Sequence, residues 1–96
     1  MKPSIALAEH RTELRRIVER YGLSRPRVFG SVAAGMDQDD SDLDLLVDPT
    51  PETTLFTIAG LQCAAEELLG VRVDVLTPKA LPKRFRDRVL SEALPL

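Results

Sequence analysis

The segment DLDLLVD, residues 42–48, limits the fold of this chain more than any other. Apolar residues alternate there with Asp42 and Asp44, as in a β-strand that turns one face toward a core. Both acids then lie on the face opposite the core, on a strand that a small domain needs for its stability. Because carboxylates on such a strand are unfavourable without a partner, we expect them to have a function.

The elements around this strand predict an α/β fold of the α+β type. Apolar spacing and turn residues predict, in order, a helix from Ser4 to Gly22, strands over 27–31 and 42–48, a helix over 52–69, a strand over 71–77 and a helix after Pro78. We expect a single domain over residues 1–96 with a small mixed β-sheet of about three strands. Helices would cover one face, and the acids would lie on the open face.

The composition argues against several classes of protein. The chain has 96 residues with a net charge of −2, one Tyr, three Phe and no Trp. It therefore lacks the positive charge and the aromatic surface that favour nucleic acid, and we expect no direct nucleic-acid binding. No apolar run is long enough to span a bilayer, so no membrane partner is expected. The lone Cys63 favours a cytoplasmic location.

The spacing of the acids predicts a metal site. Asp42 and Asp44 point the same way on one strand, with Cα atoms roughly 6.5–7 Å apart. Asp74, between two valines of the third strand, looks buried and joins the same cluster if the two strands pair side by side. Carboxylate oxygens suit Mg²⁺ when phosphates supply further ligands, and three carboxylates around two metals serve displacement at phosphorus.

Gly30 and Ser31 predict a phosphate contact before the acidic strand. A glycine lets the backbone approach a phosphate closely, and a serine hydroxyl can donate a hydrogen bond to it. Each of these motifs is weak by itself, since most Gly-Ser pairs are turns and many Asp-x-Asp pairs lie on solvated strands. Their combination is much more specific.

That combination closely resembles the polymerase-beta-type nucleotidyltransferases, and within them the minimal nucleotidyltransferase group. The family pattern is Gly-Ser, a stretch ending in Arg-Gly, then Ser-Asp-x-Asp and a later acid. The matching residues are Gly30, Ser31, Gly35, Ser41, Asp42, Asp44 and Asp74. The resemblance covers nearly the whole chain. Members of this group often pair with a HEPN-type toxin, so it implies an antitoxin with that partner.

The resemblance also implies the roles of individual residues. Two Mg²⁺ ions would be held by Asp42, Asp44 and Asp74, and Asp74 would help to activate the attacking hydroxyl. Gly30 and Ser31 would hold the phosphates of ATP, the substrate. One position departs from the pattern, because Ala34 replaces the arginine before the second glycine. A cation that could orient the loop or the triphosphate is therefore missing there.

Three functions remain open at this point. A chain of this length leaves no room for a second domain, so we expect a partner protein to bring the acceptor hydroxyl that receives AMP from ATP. The first alternative is an inactive antitoxin that blocks its partner by contact. The second is a transferase for a small molecule such as an aminoglycoside, completed by a second subunit. A homo-oligomer is also left open.

The last helix is rich in basic residues. They are Lys79, Lys83, Arg84, Arg86 and Arg88. We expect them to form a solvated helix face, partly balanced by Asp87 and Glu92. The alternative is a docking surface for an acidic partner or for the nucleotide.

Overall fold

A computed structural model describes residues 1–96 and contains four α-helices around a four-stranded sheet. The elements in chain order are α1 (Pro3–Arg20), β1 (Ser24–Phe29), α2 (Gly30–Ala33), β2 (Leu43–Asp48), α3 (Leu55–Leu69), β3 (Val73–Leu76), a 3₁₀ turn (Pro78–Ala80), α4 (Lys83–Glu92) and β4 (Leu94–Pro95). No helix is both long and apolar enough to cross a membrane. The predicted mixture of helices and sheet is confirmed.

The strand order β3-β2-β1-β4 makes the acidic strand central. β2 runs antiparallel to β1 and parallel to β3, so the sheet is mixed as predicted. One face of β2 enters the core through Leu43, Leu45 and Val47, all of which are completely buried. Apolar residues of α1 and α3 complete this core, and so both long helices lie on the predicted face.

The opposite face of β2 is less open than predicted. Leu46 lies on it, two residues after Asp44, and is completely buried. The 3₁₀ turn packs against β2, and Leu81, which follows that turn, is also buried. Both ends of this face stay partly accessible to solvent, because Asp44 and Asp48 are half-buried on either side of Leu46.

Several elements differ from the predictions, among them β1, which runs from Ser24 to Phe29 rather than over 27–31. The chain has a fourth strand, β4, which pairs antiparallel with β1 at the sheet edge and consists of two residues. α3 begins at Leu55 because Thr54 and Thr57 form a capping box, whereas the sequence favoured a start after Thr50. α4 begins at Lys83, after Pro82, because the prolines interrupt the segment that starts at Thr77.

The N-terminus of α1 receives its side-chain cap from a distant residue. Lys2, at the N-cap position, makes no side-chain hydrogen bond of this kind. The backbone N–H of Ser4 instead donates to Asp37 Oδ2 at 2.8 Å, across 33 residues of sequence. Asp37 is only 6% exposed. Its carboxylate therefore ties the loop that precedes the acidic strand to the first helix.

We expect the substitution Asp37→Ala to lower the free energy of unfolding by about 1 kcal/mol, because one N–H at the start of α1 loses its acceptor. Urea denaturation followed by circular dichroism measures this difference. Asp39→Ala is the matched control, since it removes the same charge from an exposed position of the same loop. Equal losses in both variants would show that the hydrogen bond does not stabilise the helix.

Candidate active site

Gly30 lies against the carboxylate of Asp44. Its φ is +68°, a left-handed conformation that favours glycine. A Cβ atom at this position would lie 2.2 Å from Asp44 Oδ2, far inside van der Waals contact. Backbone conformation and space therefore both require a glycine, and the chain passes directly over the acid as it leaves β1.

The segment after Gly30 forms a short helix rather than the predicted strand and turn. α2 ends in a Schellman motif, in which Gly35 N–H donates to Val32 O at 3.2 Å and Met36 N–H donates to Ser31 O at 2.9 Å. The φ of Gly35 is +71°, which explains the second glycine of the motif. Ala34, where the family pattern has arginine, is exposed at the end of this helix.

Ser41 fixes the loop immediately before the acids. Its hydroxyl accepts a hydrogen bond from Gln38 N–H at 2.8 Å, and its own N–H donates to Gln38 O at 3.1 Å. These two bonds close a compact turn. The serine that precedes Asp42 in the motif therefore shapes the backbone that delivers this carboxylate.

The three acids lie at one end of the sheet. Asp44 is the direct register partner of Asp74 across the parallel pair β2 and β3, and Asp42 lies two residues before Asp44. The prediction that Asp74 is buried is wrong, because β3 is an edge strand and Asp74 is exposed. An exposed carboxylate beside a half-buried one is accessible to a large molecule in solution.

The carboxylates do not converge on one point. No group of three His, Cys, Asp or Glu side chains is arranged to hold a metal ion. Asp42 also forms an ion pair at the edge of the cluster, in which Arg72 Nε donates to Asp42 Oδ1 at 3.1 Å. This hydrogen bond and the charge of Asp42 raise the pKa of Arg72. Arg72 is highly exposed, so the pair is weak.

The surroundings of Asp44 destabilise the ionised form of its carboxylate. Burial raises its pKa to about 6, and the charges of Asp74 and Asp42 add to the shift. Its ionised form is therefore unfavourable unless positive charge comes near. The oxygen donors and the raised pKa both fit a hard divalent cation such as Mg²⁺, which would be held by Asp42, Asp44 and Asp74.

A cleft of about 1020 Å³ opens beside the acids. Gly30 and Ser31 form part of its wall, and Gly30 lies against Asp44, although none of the three acids lines the cleft itself. Phe29, Leu76 and Phe85 contribute to an apolar lining, and residues of α4 form part of the wall. The site thus combines an acidic end with a larger apolar space, an arrangement that suits a ligand with a charged and a less polar part.

A profile of the nucleotidyltransferase domain matches residues 7–96. The chain belongs to the nucleotidyltransferase domain family. A solved structure described as a candidate minimal nucleotidyltransferase superimposes on this nucleotidyltransferase with a TM-score of 0.87 and 46% identity, covering 97% of this chain and 95% of that one. The enzyme class and the fold predicted from the sequence are confirmed.

Two further relatives add detail. The protein adenylyltransferase MntA of Thermococcus cleftensis is 38% identical over 88 residues, which are 92% of this nucleotidyltransferase and 86% of the relative. A chain from a toxin–antitoxin crystal structure with AMP-PNP superimposes with a TM-score of 0.75 over 88% of this chain and 69% of that one. Its identity is 16%, so this likeness shows the fold alone.

The structure brings the predicted site residues of this nucleotidyltransferase to one region. Gly30 contacts Asp44, Asp74 lies opposite Asp44, and Ser31 follows Gly30 in the wall of the cleft. Their roles toward metal and nucleotide stay predictions.

The sequence pattern predicted no role in the site for Asp37 or Arg72. Arg72 could have been found by strand parity, since it lies two residues before Asp74 and therefore faces the same side. No local signal links Asp37 to Ser4.

We expect the substitution Gly30→Ala to displace the Asp44 carboxylate, because the new Cβ would occupy its place. Gly22→Ala is the matched control: φ is +73° there, but an added Cβ meets nothing within 4 Å. The control should lose about 1–2 kcal/mol of stability through backbone strain alone. Gly30→Ala should lose more and should also lose binding of ATP with Mg²⁺ in calorimetry. Equal losses of stability and of ATP binding in the two variants would contradict the close contact between Gly30 and Asp44.

The raised pKa of Asp44 predicts a pH dependence of stability. Between 3.8 and about 6 the folded chain binds more protons than the unfolded chain, so the free energy of unfolding falls as pH rises through this window. Asp44→Asn removes the titration. In metal-free buffer the free energy of unfolding of the variant should equal that of the wild type near pH 4. Near pH 7 it should be higher, by on the order of 1–2 kcal/mol after solvent screening. Parallel pH profiles of the two proteins in urea denaturation would contradict the shift.

Proposed function

We propose that this protein is a Mg²⁺-dependent nucleotidyltransferase that transfers AMP from ATP to a hydroxyl on a partner protein, as the cytoplasmic antitoxin of a HEPN-type toxin. The single observation that supports this most is the arrangement of Asp44, held against the Gly30 backbone and opposite Asp74. It gives carboxylates beside a Gly-Ser segment at the mouth of a cleft.

The chemistry assigns a role to each residue. Asp42, Asp44 and Asp74 would hold two Mg²⁺ ions, which neutralise phosphate charge in such reactions. Gly30 and Ser31 hold the phosphates at the cleft wall. Asp74 accepts the proton of the attacking hydroxyl, whose oxygen forms a bond to the α-phosphorus. The bond from this phosphorus to pyrophosphate breaks, and pyrophosphate leaves with the electron pair.

The accessibility of the acids favours a macromolecular acceptor. Asp74 lies on an edge strand and is exposed, so the hydroxyl of a large partner can reach it. The names of the relatives agree with this proposal, since the Thermococcus cleftensis protein is named a protein adenylyltransferase. Structural neighbours with the same fold come from MntA–HpeT toxin–antitoxin complexes.

A second candidate is an antitoxin that acts by contact alone. Two observations favour it: Ala34 replaces a cation of the family pattern, and the acids do not form a ready metal cluster. The raised pKa of Asp44 argues against the contact mechanism. Without a bound cation, the ionised form of this carboxylate is unfavourable and contributes nothing to binding of a partner. The two candidates differ in what a loss of Asp74 would do.

We expect the purified protein, mixed with its partner toxin, ATP and Mg²⁺, to add the mass of an adenylyl group to the toxin. Asp74→Asn should abolish this transfer, since the proton acceptor and a metal ligand are lost, while binding to the toxin persists. Asp87→Asn is the matched control, because it removes an exposed acid from α4. Intact-protein mass spectrometry measures the modification.

A co-expression growth assay separates the two candidates further. The transferase proposal predicts that Asp74→Asn no longer neutralises the toxin by modification. If this variant restores growth as well as the wild type, and no mass appears on either protein, the contact mechanism is correct and the transferase proposal fails.

A further inference from the structure

We propose that Arg88 of α4 supplies the cation for the triphosphate that the loop lacks at Ala34. This inference rests on the proposed function, because it assigns a new residue to the nucleotide of the same site. Arg88 and Ala34 line the same cleft, together with Gly30 and Ser31. The cation would therefore come from α4 rather than from the end of α2.

The cleft contains no other positive side chain. Among its thirteen lining residues, Arg88 is the single cation and Glu92 the single anion. Ala34 and Ala33, both of which line the cleft near Ser31, are small and leave room for a long side chain from α4. A triphosphate that begins at the acids and enters this cleft has one guanidinium available to it.

The present partner of Arg88 can be exchanged. Arg88 Nε lies 3.4 Å from Glu92 Oε1, and the two side chains are 77% and 64% exposed. An exposed pair of this kind contributes little to stability. Hydrogen bonds from arginine to phosphate are stronger and can be bidentate, so a bound triphosphate would displace Glu92.

Neighbouring arginines of α4 have other contacts. Arg86 donates to the carbonyl oxygens of Lys79 and Leu81 at 3.0 and 2.9 Å, which fixes α4 to the preceding turn. Arg84 stacks over the ring of Phe85, with its guanidinium carbon 4.9 Å from the ring centre. Neither lines the cleft. Of the arginines on the predicted solvated face of α4, Arg88 is therefore the one that lines the cleft.

Nucleotide binding to the isolated protein tests the assignment without the partner. Calorimetry with Mg²⁺ and the non-hydrolysable analogue α,β-methylene ATP should show that Arg88→Ala weakens binding about tenfold, through the loss of charge-assisted hydrogen bonds. Arg88→Gln should show a similar loss and keeps most of the side chain. Arg84→Ala is the matched control, since it removes the same charge from the same helix, and should bind as the wild type does.

A rescue experiment distinguishes a phosphate contact from a general effect on α4. Ala34→Arg should restore most of the affinity in the Arg88→Ala background and change little in the wild type, because either position can supply the one cation that the triphosphate needs. If Ala34→Arg does not restore affinity, the proposal that Arg88 replaces the cation missing at position 34 is wrong.

The outcomes separate this inference from the proposed function. If the wild type does not bind the analogue with Mg²⁺, the proposed function fails. If the wild type binds it and both Arg88 variants bind equally well, the role of Arg88 is overturned while the proposed function stands. Circular dichroism of each variant verifies that the fold is retained.

Discussion

The contact between Gly30 and the Asp44 carboxylate fixes the geometry of the whole site. Phe29 pairs with Asp44 across the antiparallel strands, so the next residue of the chain has to pass over the acid. Only a glycine fits there, because an added Cβ would lie 2.2 Å from a carboxylate oxygen. The same contact places Ser31 and the start of α2 beside the acid, and thereby joins the acidic end of the sheet to the cleft.

Charge repulsion is the second constraint on this site. Burial raises the pKa of Asp44, and the charge of Asp74, its register partner on β3, adds to the shift. Arg72 relieves part of the repulsion by pairing with Asp42 from an exposed position. This ion pair offsets negative charge at the edge of the cluster. A divalent cation held by the three carboxylates would offset the same charge and favour the ionised form of Asp44.

The sequence predicted the parts that depend on local pattern. Period-two alternation located β2 and the shared face of Asp42 and Asp44, and two valines located Asp74 on the next strand. Its exposure could not be predicted, because the sequence does not say which strand lies at the sheet edge. β4 has only two residues, too few for any periodic signal. The hydrogen bond from Ser4 to Asp37 is a long-range contact without a local pattern.

A crystal structure of the protein with Mn²⁺ and α,β-methylene ATP, with anomalous scattering to locate the metal, tests the proposed metal site directly. We expect an anomalous peak within coordination distance of the carboxylate oxygens of Asp42 and Asp44, with the phosphates of the analogue beside Ser31. A bound nucleotide without metal at these carboxylates, or metal bound elsewhere on the protein, would contradict the central claim that the acidic end of the sheet is a metal-dependent transfer site.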